Sequence, residues 1–205
     1  MSADRYETPL TPESWGKLGM WIFLAGDAMS FGGLLAGYGA LRMAAGDRWP
    51  NPQLHFGITL TAAMTFLLIV SSVTMVKSLS AIRHGDTRRM QLFLGLTVLG
   101  GILFLSLQAY EWSHLIHGGM NLRSHPFPGA GGGAASSMFG PTFYMTTGFH
   151  GCHVLGGVIY LGTLLLQSLR KPFSPADGDK LEIAGLYWHF VDLIWILVFT
   201  FIYLI

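Results

Sequence analysis

Five stretches, about 18–42, 57–82, 90–112, 141–169 and 182–205, stay apolar over the roughly 20 residues a helix needs to cross bilayer hydrocarbon. Lipid offers backbone N–H and C=O groups no partners, so a spanning segment must satisfy its own as a helix or join a closed barrel. Barrel strands alternate apolar and polar with a period of two, and these runs are continuously apolar. The expected fold class is all-α: a polytopic integral membrane bundle of five transmembrane helices. Composition agrees, since 11% of the residues are charged where soluble domains carry about 25%.

Residues 1–16 form a polar segment with Asp4, Glu7, Glu13, Pro9 and Pro12, and 17–205 form one transmembrane domain. The polar start lacks the basic flank and short apolar core of a signal peptide, so the spans themselves are expected to direct membrane entry. Nine of the twelve Lys and Arg residues (Arg5, Lys17, Lys77, Arg83, Arg88, Arg89, Arg170, Lys171, Lys180) fall on the side of the N-terminus. Arg42, Arg48 and Arg123 fall on the other. That bias predicts a cytoplasmic N-terminus and an external C-terminus. A net charge of +1, with no basic patch, gives no reason to expect nucleic acid. Cys152 is the only cysteine, so no internal disulfide is possible. The run Gly129–Ala134 lacks a Gly-Lys-Ser/Thr ending and a preceding strand, and reads as an external linker rather than a phosphate cradle.

Charge inside the spans carries the chemistry. An ionised side chain at the bilayer centre costs roughly 2.5–3.5 kcal/mol on insertion scales, so such groups face protein and find partners. At about 1.5 Å per residue, Asp27 lies about 15 Å deep, His150 and His153 about 14–18 Å, and His189 and Asp192 about 12–17 Å. These five groups from three spans are expected to form one intramembrane polar layer, with the aspartates accepting hydrogen bonds from histidines or threonines. Thr146, His150, His153 and Gly157 share one helix face, and Gly185, His189 and Asp192 another. Gly26, Ser30, Gly33 and Gly37 give the first span small residues for close packing. The second span reads as structural, with scattered Ser and Thr. Glu111, flanked by Tyr110 and Trp112, is placed at the outer interface near water. Three readings of the layer stay open: polar glue fixing register, a proton-handling site, or metal or haem ligation by His150, His153 and His189. Against ligation, a His-x-x-His pair on one helix suits paired haem ligation poorly, and no His-Glu-x-x-His helix is present.

Thr147-Gly148-Phe149-His150-Gly151-Cys152-His153-Val154, followed by Tyr187-Trp188-His189-Phe190-Val191-Asp192-Leu193-Ile194-Trp195, resembles subunit III of haem–copper respiratory oxidases. Leu107 through Trp112 and Gly16 through Phe31 are similar to the same family. The likeness runs from about residue 15 onward and fits a short bacterial form lacking the first two of seven helices. It implies an accessory subunit with no catalytic residue, haem or copper of its own, in a multi-pass form in the bacterial cytoplasmic (inner) membrane. Its partners would be subunit I, which holds the oxygen-reducing, proton-pumping centre, together with subunit II and other subunits, whose haem and copper do the redox work. The implied roles are protecting subunit I during turnover and supporting proton uptake. Bound phospholipid is a further implication, in a cleft that the short form leaves more open. Asp27 stands where seven-helix members carry a carbodiimide-reactive Glu. The Gln-Ala-Tyr-Glu-Trp and Trp-His-Phe-Val-Asp segments resemble cytochrome c oxidases, the reading taken here. The short length and Asp27 resemble quinol oxidases, and a related subunit accompanies some nitric oxide reductases. Rivals from other classes are a stand-alone small proton-linked transporter and a small haem-binding reductase.

Overall fold

The structure, a computed structural model, describes residues 15–50, 57–120 and 138–205. Most of the polar segment 1–16, Arg123 and the Gly129–Ala134 run lie outside the described residues. The five apolar stretches form α1 (Trp15–Ala45), α2 (Ile58–Arg83), α3 (Thr87–His117), α4 (Phe139–Arg170) and α5 (Gly178–Val198). All five are long and apolar enough to cross a membrane, and no strand occurs among the described residues.

The helices outrun their apolar cores at several ends. α3 starts three residues earlier than expected because the Asp86 side chain caps it, accepting from the Arg89 N–H at 3.0 Å. Gly85, at φ 76°, makes the sharp turn into that cap. At its far end α3 runs on to His117, so the expected 113–140 connection begins five residues later. α5 ends in a wider π-helical turn, Phe199–Leu204. One extra residue in that turn lets adjacent Ile202 and Tyr203 both face inward.

Packing is tightest among α2, α3, α4 and α5, while α1 is the least buried helix and α5 the most. Trp188 and Trp195, seven residues apart on α5, project from one face into the core. Glycines admit them. A Cβ at Gly101 would lie 2.6 Å from the Trp188 ring, and one at Gly157 2.8 Å from it. Hydrocarbon solvates apolar side chains as well as a core does, so such close packing, with interhelical hydrogen bonds, is what holds spans together.

The expected close packing through α1 is absent. Among the described residues nothing lies within 4 Å of a Cβ built at Gly26, Gly33 or Gly37, and the Ser30 hydroxyl turns back to the Gly26 carbonyl. At Gly33 and Gly37 the start of α4 stands back across a groove of about 280 Å³ rather than packing closely. Instead α1 is pinned by polar and aromatic contacts at three levels. Lys17 pairs with Glu182 at 3.2 Å and Asp179 at 3.5 Å on α5, and Glu182 also pairs with Arg83 on α2 at 2.9 Å. Asp27 meets α4 midway. At the other end the Trp49 indole N–H donates to the Tyr38 hydroxyl at 3.3 Å, and the Trp49 ring stands edge-on to Phe139.

Candidate functional site

The second span does more than fill space. Along the α2–α5 seam the Trp188 N–H donates to Ser71 Oγ at 3.1 Å, and the Trp195 N–H to Thr65 Oγ1 at 3.0 Å. One level further out, Thr61 and Tyr203 both donate to Glu111. Hydroxyls on α2 thus meet two indoles of α5 as the two antiparallel helices pass. Each buried indole or phenol needs one polar partner; α2 supplies it for Trp188 and Trp195, and Glu111 of α3 supplies it for Tyr203.

The five predicted layer residues do not make one cluster; they divide into three environments. In the first, Asp27 Oδ2 lies 3.0 Å from His153 Nε2, joining α1 to α4 at the rim of the bundle, with side chains 14% and 13% exposed. His153 Nδ1 is 2.8 Å from the Phe149 carbonyl. A carbonyl only accepts, so Nδ1 carries a hydrogen. Nε2 then has two arrangements with Asp27: it accepts from a protonated carboxyl, or donates to a carboxylate as part of an imidazolium. Either way one proton lies between the two side chains. The rings of Phe31 and Phe149 flank His153, and the Tyr187 hydroxyl donates to its backbone carbonyl at 2.8 Å.

In the second environment His150 is fully buried, walled by the rings of Phe31, Phe104 and Trp195. Neither ring nitrogen meets a hydrogen-bond partner among the described residues. The third lies between α2 and α5, where His189 Nδ1 hydrogen-bonds Ser72 Oγ. Asp192 Oδ1 is buried there without a partner among the described residues. Thr146, sharing the His150 face, is buried too.

Glu111, near the end of α3, is enclosed by protein instead of open to water as expected. It is only 5% exposed, with Thr61 Oγ1 donating to Oε1 and the Tyr203 hydroxyl to Oε2, each at 2.9 Å. Three helices meet on that carboxyl, which is the sort of satisfied buried polar group that fixes register. Thr61, Ser72 and Tyr203 escaped the sequence reading, and Tyr187 entered it only as a member of its motif. Their signal was present as hydroxyls within apolar spans, but which of many hydroxyls meets an ionisable group depends on helix rotation.

Among the described residues no group of three or more His, Cys, Asp or Glu side chains is placed to hold a metal ion. What the arrangement does offer is one acid–histidine pair that shares a proton at the rim, and two sets of interior polar contacts that tie helices together.

The family model described as cytochrome c oxidase subunit III matches residues 13–205. Cytochrome c oxidase subunit 3 of Bacillus subtilis (strain 168) is 37% identical over 188 residues, covering 91% of this chain and 84% of that protein. The protein of the same name from Bacillus sp. (strain PS3) is 34% identical over 187 residues, covering 91% and 84%. That of Corynebacterium diphtheriae is 33% identical over 207 residues, covering 100% and 95%.

Proposed function

Because the chain belongs to the cytochrome c oxidase subunit III family, we propose that it is the accessory subunit of a proton-pumping terminal oxidase, bound directly to the catalytic subunit I. In this reading it prolongs subunit I's working life during turnover and supports proton uptake from the cytoplasm. Haem and copper sit in the partner subunits, with subunit II and others completing the complex, and electrons arrive from cytochrome c. The names of the bacterial relatives support that donor, and five membrane-length helices in a chain similar to bacterial proteins fit a place in the bacterial cytoplasmic membrane.

The observation that carries the proposal is the Asp27–His153 pair. It is a proton-sharing couple within a membrane-spanning helix pair, and it stands at the rim, where a neighbouring subunit or water can reach it. A purely structural pin gains nothing from partial exposure, because leaving the group open in lipid raises its desolvation cost. Supporting this further, α1 carries the pair on a helix whose Gly26, Gly33 and Gly37 make no close contact among the described residues.

The test compares the oxidase with and without this chain, each driven by reduced cytochrome c in an oxygen electrode until activity stops. The expected result is several-fold fewer turnovers before inactivation once the chain is removed. Equal turnover numbers for the two preparations would overturn the stabilising role.

A further inference from the structure

The seam between α2 and α5 is closed at most levels. Toward the end that the Lys and Arg bias assigns to the cytoplasm, Arg83 pairs with Glu182 at 2.9 Å. Next, Gly185 lets the helices close up, since a Cβ there would lie 3.5 Å from Met75 Cε. Further out, Thr65 takes up the Trp195 N–H. Between these levels the seam opens sideways on Ser72, His189 and Asp192. Ser72 and His189 are half-buried. His189 uses Nδ1 on Ser72, and its Nε2 has no hydrogen bond among the described residues. Asp192, one turn on along α5, has Oδ1 buried without a partner among the described residues. The side chains around this polar spot are those of a membrane-level surface: Ile69, Val73 and Val76 on α2, and Leu193 and Leu197 on α5, are all exposed. The apolar outer faces of α3 and α4 differ, because there the exposed hydroxyls of Ser106 and Thr163 turn back to carbonyls of their own helix.

Hydrocarbon solvates the five apolar side chains as well as protein does, but it offers nothing to an imidazole nitrogen or a carboxylate. An ionisable group at such a seam calls for cover from another chain. The chemistry of the spot says what that cover carries. Ser72 either gives its hydrogen to His189 Nδ1 or receives one from it, so Nε2 is a donor in the first case and an acceptor in the second. A carboxylate at Asp192 only accepts. A hydroxyl or carboxamide side chain answers every combination, and a spanning helix brings one to this depth with its own backbone satisfied. We infer that the α2–α5 face around His189 is where a transmembrane helix of the oxygen-reducing partner docks. That helix hydrogen-bonds His189 through a hydroxyl or carboxamide and packs on Val73 and Leu193 to either side. The identity of the partner rests on the functional reading above, which leaves the docking face open; the need for a helical occupant with a polar side chain does not.

The experiment uses the intact complex in its own membranes, with a benzophenone amino acid placed at Val73 or at Leu193. Ile159 and Leu166, exposed on α4, take the same label as controls. Haem is measured in each purified complex, and the crosslinked chains are identified after irradiation. Val73 and Leu193 are expected to join one large polytopic haem-bearing chain, and Ile159 and Leu166 to give mainly lipid adducts. His189→Leu should weaken retention of the chain through detergent washing by roughly threefold to tenfold, the range for one interhelical hydrogen bond. His189→Gln keeps a hydrogen-bonding group and should restore most of that loss. With haem present, three results at Val73 and Leu193 would overturn the docking face and leave the accessory role standing: lipid adducts alone, adducts to a second copy of this chain, or crosslinking no stronger than at the α4 controls. A complex purified without haem would overturn the accessory role, and the named partner with it.

Discussion

At the scale of single residues, the polar groups inside the bundle divide into pairs that are satisfied and a few atoms that have no partner among the described residues, the two His150 nitrogens, Trp112 Nε1 and Asp192 Oδ1 among them. Asp27 has a single strong partner, so Asp27→Leu leaves His153 Nε2 without one. The expected cost is on the order of 1–3 kcal/mol, seen as earlier thermal unfolding and weaker retention of the chain in its complex, with haem content unchanged. Asp27→Asn still reaches His153 with a hydrogen bond and should be milder. Thermal melts of the three complexes decide it, and a Leu variant indistinguishable from wild type would sink the claim. Glu111 has two donors. Glu111→Leu should also cost about 1–3 kcal/mol, and adding Tyr203→Phe should restore part of the loss, because removing both partners is cheaper than orphaning one. A double variant less stable than Glu111→Leu alone would contradict that account. That Asp27, His150, His153, His189 and Asp192 lie within the long apolar helices was legible from continuous apolar length. Their separation into three environments was not, since rotation about each helix axis decides which neighbour a side chain meets, and Ser and Thr are too frequent in these spans to mark the answer.

Element by element, glycine does opposite things on different helices. A Cβ at Gly101 would sit 2.5 Å from Val158 Cγ2 and 2.6 Å from the Trp188 ring. Gly101→Ala should therefore destabilise the chain by about 1–3 kcal/mol through overpacking between α3, α4 and α5. Gly33→Ala meets open space and should be neutral or stabilise α1 by up to about 1 kcal/mol through helix propensity. Unfolding of the full-length chain in detergent, followed by tryptophan fluorescence, compares the two directly. If Gly33→Ala proved the more damaging, α1 would be packed in a way the structure does not have. The four-residue spacing in α1 pointed to close approach, yet the close approaches fall at Gly100, Gly101 and Gly157, where Ser71 or Trp188 arrives from another helix. Spacing records that a face is small; it does not record what faces it. The existence, number and order of the five helices, by contrast, followed from continuous apolar length, which depends on no neighbour.

For the whole molecule, four helices make a core laced by indole and hydroxyl contacts, and α1 is held to its side at three levels. Lys17 with Glu182 and Asp179 holds one end, Asp27 with His153 the middle, and Trp49 with Tyr38 and Phe139 the other end. A helix attached in this way can present its open face to a neighbour without loosening the core, which is what an accessory subunit requires. The central claim is that this chain works through an oxygen-reducing partner. Affinity purification of the full-length chain from its own membranes in mild detergent, with an optical spectrum and an oxygen electrode trace of what is recovered, tests it most directly. The account predicts a haem spectrum, a larger polytopic protein in fixed proportion to this chain, and oxygen consumption driven by reduced cytochrome c. Recovery of the chain by itself, colourless yet carrying protons across liposomes, would contradict it.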